Sequence, residues 1–357
     1  MEKQNWNHAV GLGIMSGTSL DGLDLALCEF SREAETWKYK TIRCETVEYD
    51  ALMRQRLQKA DRLGALELVA LDRDFAAYIA GQVVKFLAGS PAQPDFIASH
   101  GQTVFHQPER GITLQIGSGA VIAARTGIPT VCDFRTTDVA LGGQGAPLVP
   151  IGDKLLFGGY AACLNLGGFC NISFDSGARR VAFDIAPCNM LLNTLAARLG
   201  QPYDKGGLYA RDGYLVDALT AQLNALPYYA QGGAKSLGKE WFDREVLPLL
   251  DEAGAMPQDL LRTAVEHIAV QIGRVLNNNQ IASVLVTGGG AKNSYLMDRI
   301  RWHAPNTMVV IPDEATVDFK EAIIFAFLGL LRLQGECNCL ADVTGAVRNN
   351  IGGAVYL

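Results

Sequence analysis

The chain has 357 residues, of which 49% are hydrophobic and 19% charged, and its formal net charge is −6 at pH 7. This length suggests about two domains, and the composition supports a sizeable core rather than disorder. The acidic balance, without a long basic run, argues against binding to nucleic acid or a membrane surface. Local groups can still hold an anionic small molecule.

Eight cysteines are scattered along the chain, several of them inside apolar runs where free Cys acts as a small hydrophobic residue. A metal or redox site at Cys337 and Cys339 is disfavoured, because no second Cys or His pair at zinc spacing accompanies them. The N-terminus does not resemble a signal peptide, and no segment approaches the ~18 apolar residues of a membrane span. We therefore expect a reduced, cytoplasmic protein.

Strand and helix signals alternate along the first part of the chain. Apolar runs and period-two apolar residues predict strands at residues 10–15, 23–27, 95–100 and 127–134. Between them, helical spacing predicts a helix over residues 68–86, which Gly89 and Pro91 follow. A glycine-rich stretch at 140–150 then suggests a domain junction within 134–150.

The second part repeats this organisation. We expect strand–turn–strand at 162–174, strand then helix at 180–200, strand–glycine turn–helix at 281–300, a strand at 308–312 and a helix at 320–335. Two such halves favour an α/β architecture with two lobes and a ligand-binding cleft between them. The predicted lobes are residues 1–134 and 135–357.

The turn Ser16-Gly17-Thr18-Ser19-Leu20-Asp21-Gly22 joins the first two strands. Its glycines allow backbone N–H groups to converge on a phosphate, its hydroxyls add donors, and Asp21 or Asp24 suits a magnesium ion beside that phosphate. Because Gly, Ser and Asp are also ordinary hairpin residues, the turn taken alone favours a purely structural role.

Two further segments strengthen the case for a ligand site. Gly288-Gly289-Gly290 lie between a strand and a helix, where a ligand can approach the backbone and the helix N-terminus. They match neither the dinucleotide fingerprint nor the P-loop. Asp184 ends a predicted strand, and Pro187 suits the first turn of the following helix; Asp184 is therefore a candidate base or a helix N-cap.

Together these stretches resemble the anhydro-N-acetylmuramic acid kinases, within the superfamily of sugar kinases, actin and heat-shock ATPases. The resemblance runs through most of the chain, in GIMSGTSLDGLD, ASHGQTVFHQP, DFRTTDVALGGQGAPLVP, LNLGGFCNIS, FDIAPCNMLLN, YDKGG, KSLGKEWF, VTGGGAKNSYLM and EAIIFAFLG. HGQTVFHQP and DFRTTDVALGGQGAPLVP are too long and specific for chance agreement.

The resemblance implies a two-lobed actin-like ATPase (ribonuclease H-like) fold with an interlobe cleft. It also implies that ATP phosphorylates O6 of 1,6-anhydro-N-acetylmuramic acid while water opens the anhydro bridge at C1. The product would be N-acetylmuramic acid 6-phosphate, formed in peptidoglycan recycling. The cofactors would be ATP and Mg²⁺, and the family tends towards homodimers.

The resemblance also assigns roles to individual residues. Asp184 would be the catalytic base, and Asp21 would be the magnesium-side carboxylate, acting through water. ATP would contact Gly17, Thr18, Ser19, Leu20, Asp21, Gly22, Leu23, Asp24, Gly288, Gly289, Gly290 and Asn293. The sugar would contact Gly101, Gln102, Arg135 and Glu321, with the guanidinium fork of Arg135 suited to the lactyl carboxylate.

Other interpretations of single residues stay open. His100 and His106 are candidates for buried or hydrogen-bonding histidines rather than catalytic ones. Arg135 could pair with Asp133 or Asp138 instead of binding the sugar. Lys235 fits a solvated or lobe-bridging lysine better than a phosphate contact.

The chain departs from the family pattern at two sites. Ile185, Ala186 and Cys188 replace residues of the family's Asp-Thr-Gly-Pro-Gly-Asn stretch, and Gly152-Asp153 stand where the family often has Phe-His. These changes bear on substrate detail. Two alternative functions stay open: a kinase for an ordinary hexose or amino sugar, and a nucleotide-dependent binding switch.

Overall fold

The structure is a computed structural model that describes residues 6–17, 20–233 and 235–357. The strands are β1 (His8–Ser16), β2 (Leu23–Glu33), β3 (Thr36–Val47), β4 (Phe96–Ser99), β5 (Gln102–Gln107), β6 (Ile112–Ile116), β7 (Thr130–Cys132), β8 (Ala162–Leu166), β9 (Phe169–Ser176), β10 (Arg179–Pro187), β11 (Ser283–Thr287), β12 (Met308–Val310) and β13 (Ala354–Tyr356).

The helices are α1 (Ala51–Gln58), α2 (Ala65–Leu87), α3 (Gly119–Thr126), α4 (Thr136–Ala140), α5 (Val149–Leu156), α6 (Asn189–Ala197), α7 (Leu208–Asp212), α8 (Asp217–Asn224), α9 (Lys239–Trp241), α10 (Leu247–Glu252), α11 (Pro257–Asn278), α12 (Ser294–His303), α13 (Glu314–Gln334) and α14 (Ala341–Thr344). A π-helical turn, Phe242–Val246, precedes α10. None of the helices within the described ranges is long and apolar enough to cross a lipid bilayer.

The chain forms two compact units, one made of Met1–Leu156 with Phe319–Leu357 and the other of Phe157–Asp318. The first unit contains a sheet of order β13-β7-β4-β1-β2-β3, and the second a sheet of order β10-β9-β8-β11-β12. In the first sheet β1, β2 and β3 are successively antiparallel, whereas β4 is parallel to β1 and β7 to β4.

The second sheet repeats this pattern. Strands β8, β9 and β10 form the antiparallel meander, and β11 and β12 continue in parallel from β8. Each unit thus places its strands in the order third, second, first, fourth, fifth, which is the ribonuclease H-like arrangement, and the first unit adds β13 at the edge. The duplicated topology confirms the predicted α/β, actin-like ATPase fold class.

The two units have other bounds than the predicted lobes of residues 1–134 and 135–357. Residues 135–156 and 319–357 belong with the first unit. The terminal strand β13 pairs antiparallel with β7, more than two hundred residues earlier, and so extends the first sheet. Such a long-range pairing leaves no local signal in the sequence.

Each unit has its own core. The inward face of β1 and β2 packs on α2, whose buried side chains repeat at helical spacing, as Leu71, Phe75, Ile79 and Val83 do. In the second unit the long amphipathic helix α11 buries Leu261, Val265, Ile268 and Ile272 in the core that also covers β8 and β11. These rigid layers support the loops at the strand ends.

Candidate functional site

The turn between β1 and β2 carries the predicted phosphate-binding residues. Thr18 and Ser19 lie outside the described residues. Leu20 has a left-handed backbone, with φ of 56°, and its N–H donates to the Gly17 carbonyl at 3.2 Å. Because the side chains of Leu20 and Leu23 are buried in the core, only the backbones of these two residues are available to a ligand.

The two acidic residues of this turn differ. Asp21 is exposed, and its carboxylate accepts no hydrogen bond from the part of the chain that the structure describes. Asp24 lies on β2, half-buried, and accepts a 2.6 Å hydrogen bond from the Thr46 hydroxyl. Asp21 is therefore the freer carboxylate for a cation or its water shell.

A buried polar chain joins the end of β1 to the start of β5. The Ser16 hydroxyl donates to the Gln102 side-chain oxygen and lies 2.6 Å from the Tyr49 hydroxyl. Ser16, Gln102 and Tyr49 are each no more than 5% exposed. This link fixes the side chain of Gln102, a predicted sugar contact, against the strand that leads into the phosphate turn.

Arg135 is oriented by a histidine and a carbonyl. Its Nε donates to His100 Nε2 at 2.9 Å, and Nη1 donates to the Gly145 carbonyl at 2.8 Å. His100 Nδ1 lies 2.8 Å from the carbonyl of Gly101, whose φ is 74°. Burial, helped by the Arg135 charge, lowers the pKa of His100 to about 3, so the ring is neutral and carries its proton on Nδ1.

The loop beneath Arg135 is held by Asp138, which is fully buried. Its carboxylate accepts hydrogen bonds from the Gly145 N–H, the Thr344 hydroxyl and the Asn350 amide, all at 2.8 Å. The Cys339 thiol donates to the same carboxylate at 3.0 Å. Asp138 therefore fastens the Arg135 loop to the C-terminal segment, and within the described residues neither Asp133 nor Asp138 forms an ion pair with Arg135.

Glu321 lies on α13 beside an ion pair between Lys320 and Asp153, with Nζ and Oδ1 2.9 Å apart and both side chains buried. Glu321 is solvent-accessible, but the surrounding protein atoms desolvate its carboxyl. This desolvation is the main cause of the raised pKa of Glu321. The charges of Lys320 and Arg135 oppose this rise. Glu321 and Arg135 are thus close enough in the first unit to influence each other's charge.

The ion pair explains the departure at Gly152-Asp153. Asp153 supplies the partner that the Lys320 ammonium needs in a buried position. A side chain at Gly152 would meet Ile324 of α13 at 2.5 Å, so glycine allows α5 to approach α13. The two unusual residues act together at the contact between these helices.

Asp184 lies on β10, next to a register irregularity between Asp184 and Ala186. Its Oδ2 accepts a 2.8 Å hydrogen bond from the Leu237 N–H, its own N–H donates to the Lys235 carbonyl at 3.0 Å, and its carbonyl accepts from the Tyr228 hydroxyl at 2.6 Å. No residue within the described ranges donates to Oδ1. Burial raises the pKa of the Asp184 carboxyl, and the Leu237 N–H opposes the rise.

The N-cap alternative for Asp184 is wrong. Strand β10 continues to Pro187, the N-cap residue of α6 is Cys188, and no side chain caps that helix. Pro187 is therefore the last strand residue rather than part of the first helical turn. The Asp184 carboxylate instead faces the segment that contains Leu237.

A second turn, Gly167-Gly168 between β8 and β9, is tied to the start of α6. The N–H groups of Cys188 and Met190 donate to the Gly168 carbonyl, and that of Asn189 donates to Gly167, at 2.8 to 3.1 Å. The Asn189 side-chain amide also donates to the Leu166 carbonyl at 2.9 Å. Asn189, which retains the last residue of the family's Asp-Thr-Gly-Pro-Gly-Asn stretch, therefore supports this turn.

The predicted glycine turn, residues 288–290, lies against the end of β8, next to the Gly167-Gly168 turn. Gly288 has φ of 83°, and a side chain there would meet Asn165 at 2.6 Å; one at Gly290 would meet Leu166 at 2.6 Å. Asn293 accepts from the Leu296 N–H at 3.0 Å and so caps α12. The close approach of backbone to backbone requires glycine here, independently of any ligand.

The segment 205–207, KGG, is a further neighbour of this turn. The Ser294 hydroxyl donates to the Gly206 carbonyl at 3.0 Å, and a side chain at Gly207 would collide with Asn293. The stretch YDKGG is part of the family resemblance, but the sequence alone did not predict that it lies at the start of α12. The pairing of distant segments, rather than a local motif, brings these residues together.

Two other predicted residues have structural partners. The Lys235 ammonium donates to the carbonyls of Tyr228 and Gln231, both at 3.0 Å, and lies 4.4 Å from the Tyr228 ring centre. It therefore stabilises a loop within the second unit. His106 is exposed, with Nδ1 3.1 Å from the Thr113 hydroxyl across the β5–β6 hairpin.

Within the described ranges, no three His, Cys, Asp or Glu side chains converge into a metal-binding group. A magnesium ion that is bound mainly by phosphate oxygens and water needs only one or two carboxylates. The free Asp21 carboxylate fits that requirement. Cys339, in contrast, is 1% exposed and donates to Asp138, which suits a structural thiol.

The structure thus places the predicted residues in two sets. The phosphate turn, Gly101, Gln102, Arg135 and Glu321 lie in the first unit, and Asp184, the glycine turn and Asn293 lie in the second. Three residues hold predicted contacts in place. Sequence reasoning missed Tyr49, named Ser16 only as part of the turn, and named Asp138 only as an alternative partner of Arg135. Ser16 carries a weak signal because it is the first residue of the turn, whereas no local pattern reveals which groups Tyr49 and Asp138 bind.

Comparison with known proteins identifies the family. The family model described as anhydro-N-acetylmuramic acid kinase matches residues 9–357. The anhydro-N-acetylmuramic acid kinase of Gloeobacter violaceus is 38% identical, covering 95% of this chain and 96% of that one, and that of Aliivibrio fischeri is 37% identical, covering 97% and 98%.

A solved structure also matches, the activator of the 2-hydroxyisocaproyl-CoA dehydratase from Clostridium difficile with bound ADPNP. It covers 91% of this chain and 96% of its own at 10% identity, with a TM-score of 0.47. That similarity is too low to add to the assignment. The sequence matches, which extend over nearly the whole chain, are sufficient: the chain belongs to the anhydro-N-acetylmuramic acid kinase family.

Proposed function

We propose that this protein is an ATP-dependent kinase that opens 1,6-anhydro-N-acetylmuramic acid with water and phosphorylates its O6. The products are N-acetylmuramic acid 6-phosphate and ADP, as peptidoglycan recycling requires. Family membership over residues 9–357 supports the substrate class. The geometry of Asp184 carries the chemical part of the proposal.

Asp184 has the properties of a base that activates water. One carboxylate oxygen is held by the Leu237 N–H, which fixes the orientation of the carboxylate, while Oδ1 is left to accept a proton from water. Because burial raises its pKa, the carboxylate is a stronger base than an exposed Asp. The two main-chain hydrogen bonds at Asp184 further fix its position on β10.

The reaction needs only this one carboxylate base. Water adds to C1 as its proton passes to Asp184, the C1–O6 bond breaks, and O6 bonds to the γ-phosphorus of ATP while ADP leaves. The phosphoryl group thus takes the place of the protonating acid that a glycoside hydrolase provides. Positioning and charge stabilisation supply the rest of phosphoryl transfer.

The turn at 17–24 supports ATP binding. Leu20 and Leu23 offer backbone groups only, because their side chains are buried in the core. Gly22 lets the turn pack closely on β3, since a side chain there would meet Thr46 and Val47 at 2.8 Å. Asp21 would hold Mg²⁺ through water. Bound there, the ion would neutralise charge on the phosphates during transfer.

Arg135, Gln102 and Glu321 support the sugar. His100 occupies Nε of Arg135 and Gly145 occupies Nη1, which leaves Nη2 to bind the lactyl carboxylate as a charge-assisted contact. Ser16 fixes the Gln102 oxygen, so the Gln102 amide nitrogen is the group available to a sugar oxygen. Glu321, with its raised pKa, supplies an acceptor for a sugar hydroxyl or water.

A coupled ADP-release assay tests the proposal. With ATP, Mg²⁺ and 1,6-anhydro-N-acetylmuramic acid, we expect one ADP and one 6-phosphorylated sugar per turnover. N-acetylmuramic acid, N-acetylglucosamine and glucose serve as the alternative acceptors. Faster turnover on one of these would favour an ordinary sugar kinase, and ATP binding without turnover on any sugar would favour a binding switch.

We also propose a cytoplasmic location and a homodimer, as the family resemblance implies. The chain mass of 38.4 kDa allows a simple check of the second point. Light scattering after size exclusion should give twice this mass. A single chain mass at micromolar concentration would contradict the dimer.

A further inference from the structure

The second unit contains a cavity of about 450 Å³ behind the strand that carries Asp184. Phe183 and Ile185 line it, whereas Asp184 between them does not, because side chains along a strand alternate between its faces. Helix α11, Tyr229, residues 231–233 and Lys235 form the other walls. The cavity is therefore separate from the carboxylate face of β10.

Part of the cavity wall is fixed by a buried hydrogen-bond network. The Tyr229 hydroxyl lies 2.9 Å from His267 Nε2, and His267 Nδ1 lies 2.8 Å from Asn224 Oδ1, which also accepts from Gln271 Nε2 at 2.7 Å. Burial lowers the pKa of His267 to about 3, so the ring is neutral, donates from Nδ1 to Asn224 and accepts from Tyr229. Tyr229 and Gln271, which line the cavity, are thus held in place before any ligand arrives.

The charged residues that the structure describes in the cavity lining are both basic. Arg274 and Lys235 line the cavity, and no Asp or Glu among the described residues does. Arg274 is exposed and forms no hydrogen bond or ion pair with the residues that the structure describes. An arginine without a partner beside an aromatic wall favours an anionic ligand.

The uncharged lining groups indicate the rest of the ligand. Phe174, Phe183 and Tyr229 offer ring faces and edges, and Gln271 and Asn278 offer amides that both donate and accept hydrogen bonds. This combination suits a molecule with an apolar ring face, hydroxyl or acetamido groups, and one acidic group. An acidic N-acetylated sugar has all three.

The cavity is connected to Asp184 through the described residues of the segment 228–237. Tyr229 and Lys235 line the cavity, and the neighbouring Tyr228 hydroxyl and Lys235 carbonyl hydrogen-bond to the Asp184 main chain. Leu237, two residues further, donates to the Asp184 carboxylate. A ligand that shifts this segment changes the hydrogen bonds of the proposed base.

We propose that this cavity is a second, regulatory binding site for an acidic N-acetyl amino sugar, and that its occupancy changes the activity of Asp184. Arg274 binds the acidic group, the aromatic wall packs on the sugar ring, and the segment 228–237 transmits the effect. The regulatory part rests on the proposed role of Asp184 as base. The binding part does not depend on catalysis.

Calorimetry tests binding directly. N-acetylglucosamine 6-phosphate supplies a phosphate and N-acetylmuramic acid a carboxylate, while N-acetylglucosamine is the neutral control. We expect the acidic sugar to bind at least tenfold more tightly than the neutral one, and Arg274→Gln to weaken binding about tenfold or more. Arg73→Gln, which removes a similar exposed charge from the middle of α2, should leave the affinity unchanged.

A variant of the predicted sugar contact separates the two sites. Binding that survives Arg135→Gln and is lost in Arg274→Gln supports the cavity. Loss in Arg135→Gln with no change in Arg274→Gln, or no binding of either acidic sugar, overturns it.

The regulatory part is tested by turnover with saturating ATP and anhydrosugar. Adding the bound acidic sugar should change kcat at least twofold in the wild type and in Arg73→Gln, and leave Arg274→Gln unaffected. Binding at Arg274 without a change in kcat overturns the regulatory link. If the protein turns over no anhydrosugar, calorimetry still decides the binding site, so the two failures are distinguishable.

Discussion

The two units build the same sheet and begin it with the same strand–turn–strand element, yet their turns are held differently. In the second unit, three N–H groups at the start of α6 donate to the Gly167 and Gly168 carbonyls. In the first unit, the one backbone hydrogen bond within the described part of the turn joins Leu20 to Gly17, and Asp21 is exposed.

We propose from this difference that one topology serves two tasks. The second turn is fastened to the helix that follows the Asp184 strand, which suits a support for a precisely placed base. The first turn leaves the Asp21 carboxylate and part of its backbone available, which suits a charged ligand that binds from solution. The predictions below compare substitutions in the two units.

The largest effect is expected at Asp184. Asp184→Asn keeps an oxygen for the Leu237 N–H but removes the base, so kcat on the anhydrosugar should fall about 10²–10⁴-fold. Coupled ADP release measures kcat, and thermal unfolding checks the fold. Asp212→Asn, an exposed carboxylate of the same unit, is the matched control and should behave as wild type.

In the first unit, Arg135→Lys should raise KM for the anhydrosugar about tenfold. A lysine cannot reproduce the fork that binds His100, Gly145 and a carboxylate at once. The KM for ATP should change little, which initial-rate measurements at varied ATP will show. A rise in the KM for ATP alone would contradict the sugar assignment.

The free and the hydrogen-bonded carboxylates of the first turn should differ in their effect on magnesium. Asp21→Asn should raise the Mg²⁺ concentration for half-maximal activity about tenfold. Asp24→Asn should raise it less, because the Asp24 carboxylate is engaged with Thr46. Titration of Mg²⁺ at fixed ATP ranks the two variants; a larger shift for Asp24→Asn would reverse the assignment.

The pH dependence of activity should follow Asp184. A base works only when ionised, and burial raises the pKa of this carboxyl, so kcat/KM should fall on the acid side at a higher pH than an exposed Asp would cause. Leu237→Pro would remove the N–H that opposes the rise and should move the limb to higher pH. An acid limb at the ordinary value for Asp would argue against Asp184 as the base.

Local patterns in the sequence predicted β1, β2, β8 and β9, because alternating apolar residues beside small turn residues record strand pairs directly. The same patterns could not predict that β13 joins β7, or that residues 135–156 pack with the first unit. Those contacts join segments that lie far apart in the chain, and neither segment carries a local signal for the other.

For the site, residue type left Asp184 as a candidate base or N-cap, and the family resemblance pointed to Asp184 and Arg135, but neither revealed what holds these two side chains. The N-cap alternative for Asp184 failed because its partner, Leu237, lies 53 residues away along the chain. His100, predicted as a buried or hydrogen-bonding histidine, is indeed a buried neutral acceptor, but its residue type did not reveal that Arg135 is the donor. Burial and distant partners set the chemistry of these side chains, and neither is written in a short motif.

The source of the C1 oxygen tests the central claim most directly. In ¹⁸O-labelled water, mass spectrometry at early times should show one label at C1 of the 6-phosphate product and none in its phosphate. Unlabelled product placed in the same water corrects for exchange, and Asp184→Asn should slow labelling and ADP release equally. A product without label at C1, or labelling at the wild-type rate in Asp184→Asn, would contradict the account.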